Sequence, residues 1–258
     1  MSQVILIVGQ SFVTGTMPEG VHGISEFVSA LRQGHYDDAI TKYALLFGQG
    51  INSYDERFVC DELDQRALSK RFFIQRRSFQ KSPRSFVHKH LEKNVLIVDF
   101  EAVGENHFRG KLSVDADSEL LLDHTSGWHV PGMVILEAIR QMALAATENC
   151  GALSHLGRNR DFVIRSWNTT FENFLFPLDS EIICTILPIK TLKAKRLELR
   201  AEISIMQDQR PVTEAEIDFA VYEHDILNSI EGRFAQTALR KYIQANTPVG
   251  PDTLSVGV

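Results

Sequence analysis

The apolar positions change period along the chain, and the change divides it. Val4 to Val8 make a short β-like run, and two helical patterns follow. In the first, Ile24, Phe27, Val28 and Leu31 recur three and four apart; in the second, Ala39, Ile40, Tyr43, Ala44 and Phe47 do the same, with Gly34 between the two. Beyond about Phe86 the period becomes two. In "HFRGKLSVD", Phe108, Gly110, Leu112 and Val114 alternate with Arg109, Lys111, Ser113 and Asp115, and the preceding "NVLIVDF" supplies a partner strand. "DFVIRSW", "EIICTILPI", "RLELRAEISIM" and "PVTEAEIDFAVYE" extend the series. In the last two, Leu197, Leu199, Ala201, Ile203 and Ile205, then Thr213, Ala215, Ile217, Phe219 and Val221, point inward, and "QDQR" joins them as a hairpin turn. Ile226, Leu227, Ile230, Phe234, Leu239 and Tyr242 then mark an amphipathic C-terminal helix, of the kind that packs on its own domain or on a partner, ahead of a loose tail.

One helix interrupts the strands. Pro131 suits a first helical position, and from Met133 to Ala146 apolar residues occupy nearly the whole circumference, which predicts a helix surrounded by protein. Long strands with one buried face each, plus one apolar helix after the first pair, describe an α+β fold in which an antiparallel sheet wraps a central helix. The expected division is a mainly helical N-terminal extension over 1–83, the sheet-and-helix domain over 84–224, and a C-terminal helix and tail over 225–258. "QGHYDDAITKYALLF" has the flavour of a tetratricopeptide helix, but no second copy accompanies it, so a repeat array is not expected.

Composition narrows the function classes. The 258 residues, 44% hydrophobic and 23% charged, suit one large domain or a modest domain with an appendage. A net charge of −6 disfavours nucleic acid as the main partner. Cys60, Cys150 and Cys184 are odd in number and lack CxxC spacing, which argues against a disulfide framework or zinc site and suits a reducing cytoplasm. The start lacks a signal-peptide pattern, and no stretch approaches the ~20 apolar residues of a membrane span. "IVGQSFVTG" has neither GxGxxG nor GxxxxGK[ST], so it is not read as a nucleotide loop. Lys70, Arg71, Arg76, Arg77, Lys81, Arg84 and Lys89 concentrate positive charge ahead of a boundary at Ser82-Pro83. That stretch reads either as a solvated linker or as a docking surface for a phosphate or an acidic carrier protein.

The chemistry concentrates in "DHTSGWHVPGMVILEAIRQMALA". Glu137, Arg140 and Gln141 lie three and four apart and share one side of the apolar helix. Isolated buried charges cost several kcal/mol in order of magnitude, so these groups are either a paired packing device or a catalytic face. The helix start supplies free N–H groups around Gly132 and Met133 that could hold a carbonyl oxygen. His124, Trp128 and His129 approach that start from the preceding loop. The histidines, including His88 and His90, show no convergent ligand set, and neither a metal nor a cofactor is expected.

Two resemblances attach to these residues. "HTSGWHVPGMVILEAIRQ" is similar to hotdog-fold dehydratases acting on acyl-carrier-protein thioesters, with His124 and Glu137 at the two catalytic positions and a loop one residue shorter here. More specifically, Val87-His88-Lys89, Glu137-Ala138-Ile139-Arg140-Gln141 and "FENFLFPLD" resemble the A-factor biosynthesis hotdog family, over roughly Phe86 to Tyr222. The resemblance implies a hotdog fold. It also implies transfer of a β-ketoacyl group from an acyl-carrier-protein or CoA thioester to the hydroxyl of dihydroxyacetone phosphate or a similar acceptor, in γ-butyrolactone signal or secondary-metabolite synthesis. Glu137 would then be the base or orient the hydroxyl, Arg140 would bind phosphate or steer Glu137, and Gln141 would complete the catalytic face with His124. The N–H groups near Gly132 and Met133 would polarise the carbonyl, with Trp128, His129, His88 and Lys89 as binding residues. Family members typically carry two hotdog repeats. One is visible here, so either residues 1–80 hide a degenerate copy or two chains pair as a homodimer. A dehydratase or thioesterase, and a non-catalytic acyl-binding or dimerisation module, are the alternatives.

Overall fold

The computed structural model describes residues 3–37, 40–75, 79–122, 127–154, 156–157, 159–193 and 196–247. Two sheets organise them. The larger has six antiparallel strands: β5 (Ile97–Gly104), β6 (His107–Leu112), β7 (Arg160–Phe171), β8 (Glu181–Lys193), β9 (Arg196–Gln207) and β10 (Arg210–Glu223), in the order β5-β6-β8-β9-β10-β7. All the residues predicted to point inward on β9 and β10 are buried. The turn between these strands places both Asp208 (φ 50°) and Gln209 (φ 59°) in the left-handed region. That is the backbone of a tight hairpin turn whose twist matches its strands.

The helix α4 (Gly132–Glu148) crosses the inner face of this sheet, against β5, β6, β8 and β9. Val134, Ala138, Ile139, Met142 and Ala146 join Phe108, Leu112, Ile182, Cys184, Leu199 and Ile203 in one core. The sheet wrapped around a central helix is the expected hotdog arrangement. The helix is less completely enclosed than its composition predicts: Met133, Leu136, Glu137 and Arg140, at i, i+3, i+4 and i+7, form an open stripe along it. The short α3 (Glu119–Leu122) packs nearby, and α5 (His224–Asn246) follows β10.

Residues 3–74 correct the expectation of a mainly helical extension. Its helices, α1 (Ile24–Arg32) and α2 (Ser53–Gln65), flank a four-stranded sheet of β1 (Gln3–Val8), β2 (Val21–Gly23), β3 (Tyr43–Phe47) and β4 (Phe72–Ile74), ordered β2-β1-β3-β4 and wholly parallel. The predicted second helix is strand β3. Its apolar run is continuous because both faces of a parallel strand are covered, which imitates helical spacing. Ala39 of that pattern lies outside the described residues. An all-parallel sheet also rules out a degenerate second hotdog over these residues.

The two sheets share one boundary. Along β1, Ile5 and Ile7 face the core around α1, while Leu6 and Val8 face the hotdog core with Phe12. Gln49, 1% exposed, sits in the seam. Its Nε2 donates to Leu112 O (3.0 Å) and Leu178 O (3.2 Å), and its Oε1 accepts from Val114 N (2.7 Å). The neighbouring Gly50 N–H donates to Val114 O. Gly9 and Gly50 pass so close that a Cβ on Gly9 would lie 2.3 Å from Gly50 O.

The basic stretch is not a free patch. Arg71 donates to Tyr36 O and Asp37 O, Lys81 pairs with Asp115 (2.5 Å), and Arg84 donates to His90 O. Ser82 N–H bonds Ile97 O, so the expected linker is paired to the edge of the sheet. Arg76 and Arg77 lie outside the described residues. The seam yields a test: Gln49→Leu strands three buried backbone groups and is expected to cost roughly 2–4 kcal/mol in urea unfolding, with the unfolding midpoint as the readout.

Candidate functional site

Glu137 is the centre of the polar cluster on α4. Its carboxylate receives Arg140 Nε on Oε2 (2.8 Å), and on Oε1 it receives Arg140 Nη2 (2.9 Å), Gln141 Nε2 (3.0 Å) and Lys89 Nζ (2.6 Å). The i,i+3 and i,i+4 spacings deliver Arg140 and Gln141 from the same helix. Lys89 comes from 48 positions earlier, on the turn where Lys89 N–H bonds Arg84 O. Burial alone would push the Glu137 pKa up. The hydrogen bonds from Arg140, Lys89 and Gln141 outweigh it, and the carboxyl sits below its usual range.

Gln141 is fully buried and holds the segment that carries Lys89. Its Oε1 accepts from Leu96 N (2.8 Å), and its Nε2 donates to Asn94 O (2.8 Å) as well as to Glu137. It is a positioning residue. Asn94 extends the network to Glu119, accepting from its N–H and donating to its carboxylate.

His88 stands between buried Val87 and Lys89 with φ 51°, a conformation costing a non-glycine residue about 1–2 kcal/mol. Its ring meets the Phe162 ring edge-on at 5.3 Å and lines a cavity of about 90 Å³ with Arg140, Ala143, Leu144 and Ile164. Burial lowers its pKa, Arg140 lowers it further, and Glu148 and Asp161 pull the other way. The net result is a neutral imidazole at pH 7.

Two larger cavities flank the helix. One, of about 490 Å³, is lined by Glu137 and Arg140 together with Leu120, Met133, Leu136, Trp167, Thr169 and Phe171. It is an apolar cleft with a charged cluster on one wall. The other, of about 400 Å³, lies at the helix start, lined by His129, Gly132, Ile135, Phe171 and Phe174 among others. Phe171 belongs to both. The helix begins at Gly132, with Pro131 just outside it, and the Gly132 and Met133 N–H groups precede any helical acceptor.

The structure therefore brings Met133, Glu137 and Arg140 to the wall of one cleft, with Lys89 and the buried Gln141 bonded to Glu137, and His88 lines the smaller cavity with Arg140. His129 and Gly132 belong to the second cavity, where His129 contacts the Phe174 ring at 5.0 Å. Trp128 is 40% exposed and lines neither cavity. His124 lies outside the described residues. Sequence reasoning missed Trp167, Thr169 and Phe171; their signal is the alternation of β7, which aims every second side chain at the helix. Among the described residues there is no metal-binding group of His, Cys, Asp and Glu, and Cys60, Cys150 and Cys184 are unbridged. No described helix is long and apolar enough to cross a membrane.

The model of the A-factor biosynthesis hotdog domain matches residues 74–223. No curated protein matches the chain. Among solved structures, a mutant thioesterase from Pseudomonas aeruginosa is 16% identical, with 49% of this chain and 81% of that one covered, at a TM-score of 0.35. A sigma28-regulated virulence protein from Campylobacter jejuni is 16% identical (53% and 89% covered, TM-score 0.37). AziG of S. sahachiroi is 22% identical (48% and 90% covered, TM-score 0.34).

The depressed Glu137 pKa has a stability consequence. A carboxylate held below its unfolded value of about 4.3 contributes stability that is present above that pH and lost as pH falls through the folded value. Glu137→Gln removes this contribution and leaves Lys89 and Arg140 without their acceptor. The expected outcome is a loss of roughly 2 kcal/mol at pH 7, reduced from the full buried-pair cost by partial exposure. Denaturant unfolding from pH 7 to 3 should also show a shallower acid dependence than the parent.

Proposed function

Because the chain belongs to the A-factor biosynthesis hotdog family, we propose that it is an acyltransferase of the γ-butyrolactone-synthase type. It moves a β-ketoacyl group from a thioester, on acyl carrier protein or CoA, to the hydroxyl of a small phosphorylated acceptor such as dihydroxyacetone phosphate. The membership supports thioester chemistry at the coarse level. One observation carries the finer reading: two cations, Lys89 and Arg140, share a single carboxylate at the wall of an otherwise apolar cleft. Their sum with Glu137 is one positive charge (two cations less one anion). A cleft of that charge and lining suits an anionic acceptor beside an acyl chain.

In this reading Glu137 orients rather than abstracts. Four donor contacts, three on Oε1 and one on Oε2, hold the carboxylate in its ionised form, and a carboxyl whose pKa is lowered in this way is a weak base. It holds Lys89 and Arg140 toward the phosphate. Met133 to Arg140 spans about 10 Å of helix axis at 1.5 Å per residue, and the Arg140 side chain leans back toward the helix start. A three-carbon acceptor anchored at Arg140 therefore extends toward the first-turn N–H groups, which polarise the thioester carbonyl. The hydroxyl oxygen attacks the carbonyl carbon, the C–S bond breaks, and the hydroxyl proton ends on the released thiol.

A homodimer accompanies the proposal. Among the described residues there is one hotdog unit, and its strand β7, 12 residues long, lies at the sheet edge with Ile164 and Phe171 exposed. Such an edge is a template for pairing with a second copy.

The test is product analysis by mass after mixing the protein with a β-ketoacyl thioester, with and without dihydroxyacetone phosphate. Ester formed only with the acceptor supports transfer. Dehydrated or hydrolysed thioester in its place overturns it in favour of a dehydratase or thioesterase, and unchanged substrate in favour of a binding module. Arg140→Ala and Lys89→Ala are each expected to raise the KM for the phosphorylated acceptor tenfold or more, since a charged hydrogen bond is worth about 1.5–3 kcal/mol, while thioester binding changes little.

A further inference from the structure

The helix α5 carries apolar side chains that the rest of the fold leaves uncovered. It departs from the end of β10, fixed by the His224 Nδ1 contact with Asp161 of β7 at 2.7 Å. Ile226, Leu227 and Ile230 in its first two turns are half-buried, but every residue from Arg233 to Thr247 is exposed. Phe234 is 72% exposed, Leu239 61%, Tyr242 69% and Ile243 63%.

These positions are ordered. At 3.6 residues per turn, Phe234-Ala235, Ala238-Leu239 and Tyr242-Ile243 share one half of the helix, while Arg233, Gln236, Thr237, Arg240, Lys241 and Gln244 share the other. From Gly232 to Thr247 there are three cations and no carboxylate, in a chain whose net charge is −6. The strip therefore calls for an occupant that is apolar at the centre and negative at the rim.

We propose that α5 lies flat on an anionic lipid surface, with Phe234, Leu239, Tyr242 and Ile243 among the upper acyl chains and Arg233, Arg240 and Lys241 at the headgroups. Aromatic and aliphatic residues on one face, with cations on the other, are the chemistry of an interfacial helix. The apolar strip is about 14 Å long at 1.5 Å per residue, so it lies on a bilayer and does not cross it. The inference stands apart from the acyl-transfer reading, because no residue of α5 lines the cleft on α4.

Sedimentation of the full chain with vesicles tests it, using phosphatidylcholine alone and phosphatidylcholine with one quarter phosphatidylglycerol. The expected result is binding about 100-fold tighter to the anionic vesicles, from roughly 1 kcal/mol for each of three cations, and weakening as salt is raised. Arg240→Gln with Lys241→Gln should cut the preference for anionic lipid to about fivefold, the share of the remaining Arg233. Phe234→Ser with Ile243→Ser should abolish binding to both kinds of vesicle while leaving the fold intact by circular dichroism, since these side chains contact solvent. Absence of binding to anionic vesicles overturns the proposal, as does binding that survives the Phe234/Ile243 pair. A wild-type dimer that ignores vesicles and becomes monomeric in that variant overturns it in favour of self-association.

Discussion

A primary amide inside the core sets the geometry on which the site depends. Gln141 is fully buried, so both ends of its amide must be matched, and the groups that match them are Leu96 N–H, Asn94 O and Glu137 Oε1. Those contacts fix the chain entering β5 against the middle of α4. Once that entry is fixed, the preceding turn can reach only one stretch of the helix, and Lys89 arrives at Glu137 while His88 arrives at Arg140. An apolar residue at 141 could fill the volume, but it would leave two backbone groups unmatched and the turn unregistered. The amide thus links a packing requirement to the placement of one cation, Lys89, far away in sequence.

The same logic joins the two sheets. A parallel sheet of four short strands cannot leave a face bare, and here the helices α1 and α2 cover one face of β1 while the hotdog core receives Leu6 and Val8 from the other. Gln49 repeats at this seam what Gln141 does at the helix, pairing backbone groups at Leu112, Val114 and Leu178 that no strand reaches. The loop after β6 and the segment before β8 are both held by it. The N-terminal unit is therefore built into the hotdog layer, and its covering role explains why its apolar residues are dense in so short a segment.

How far the fold could be read from the chain follows from how local each signal is. The six antiparallel strands and α4 were legible because one-sided burial writes a period of two into β9 and β10, and because Pro131-Gly132 marks a helix start. β3 was not, since a strand covered on both faces loses its alternation and Tyr43, Ala44 and Phe47 fall at helical intervals by accident. α2 was missed although its start carries a reciprocal cap between Asn52 and Asp55; its low apolar content hid it. At the site, the spacing of Glu137, Arg140 and Gln141 was visible because one helix carries all three. The contact between Lys89 and Glu137 was not, because it depends on the path of 47 intervening residues. Trp128 and His129 were legible only as neighbours of the helix start, and the structure gives them to other surroundings than Glu137.

The cluster also has a fixed charge across the neutral range, and this bears on what it can hold. Arg140 lies beside both Glu137 and His88 and acts on them in the same sense, favouring the deprotonated form of each. Glu137 stays ionised well into the acid range, and His88 stays neutral until the pH falls below the ordinary histidine value of about 6.5. Above that pH, Lys89 and Arg140 are therefore the cations in reach of the cleft, and Glu137 is the anion that keeps them side by side. A histidine of ordinary pKa beside Arg140 would have added a variable charge near pH 6.5; partial desolvation at the Phe162 ring and the neighbouring guanidinium hold His88 below that value. What the fold preserves is a constant surplus of one positive charge, two cations on one carboxylate, next to an apolar wall.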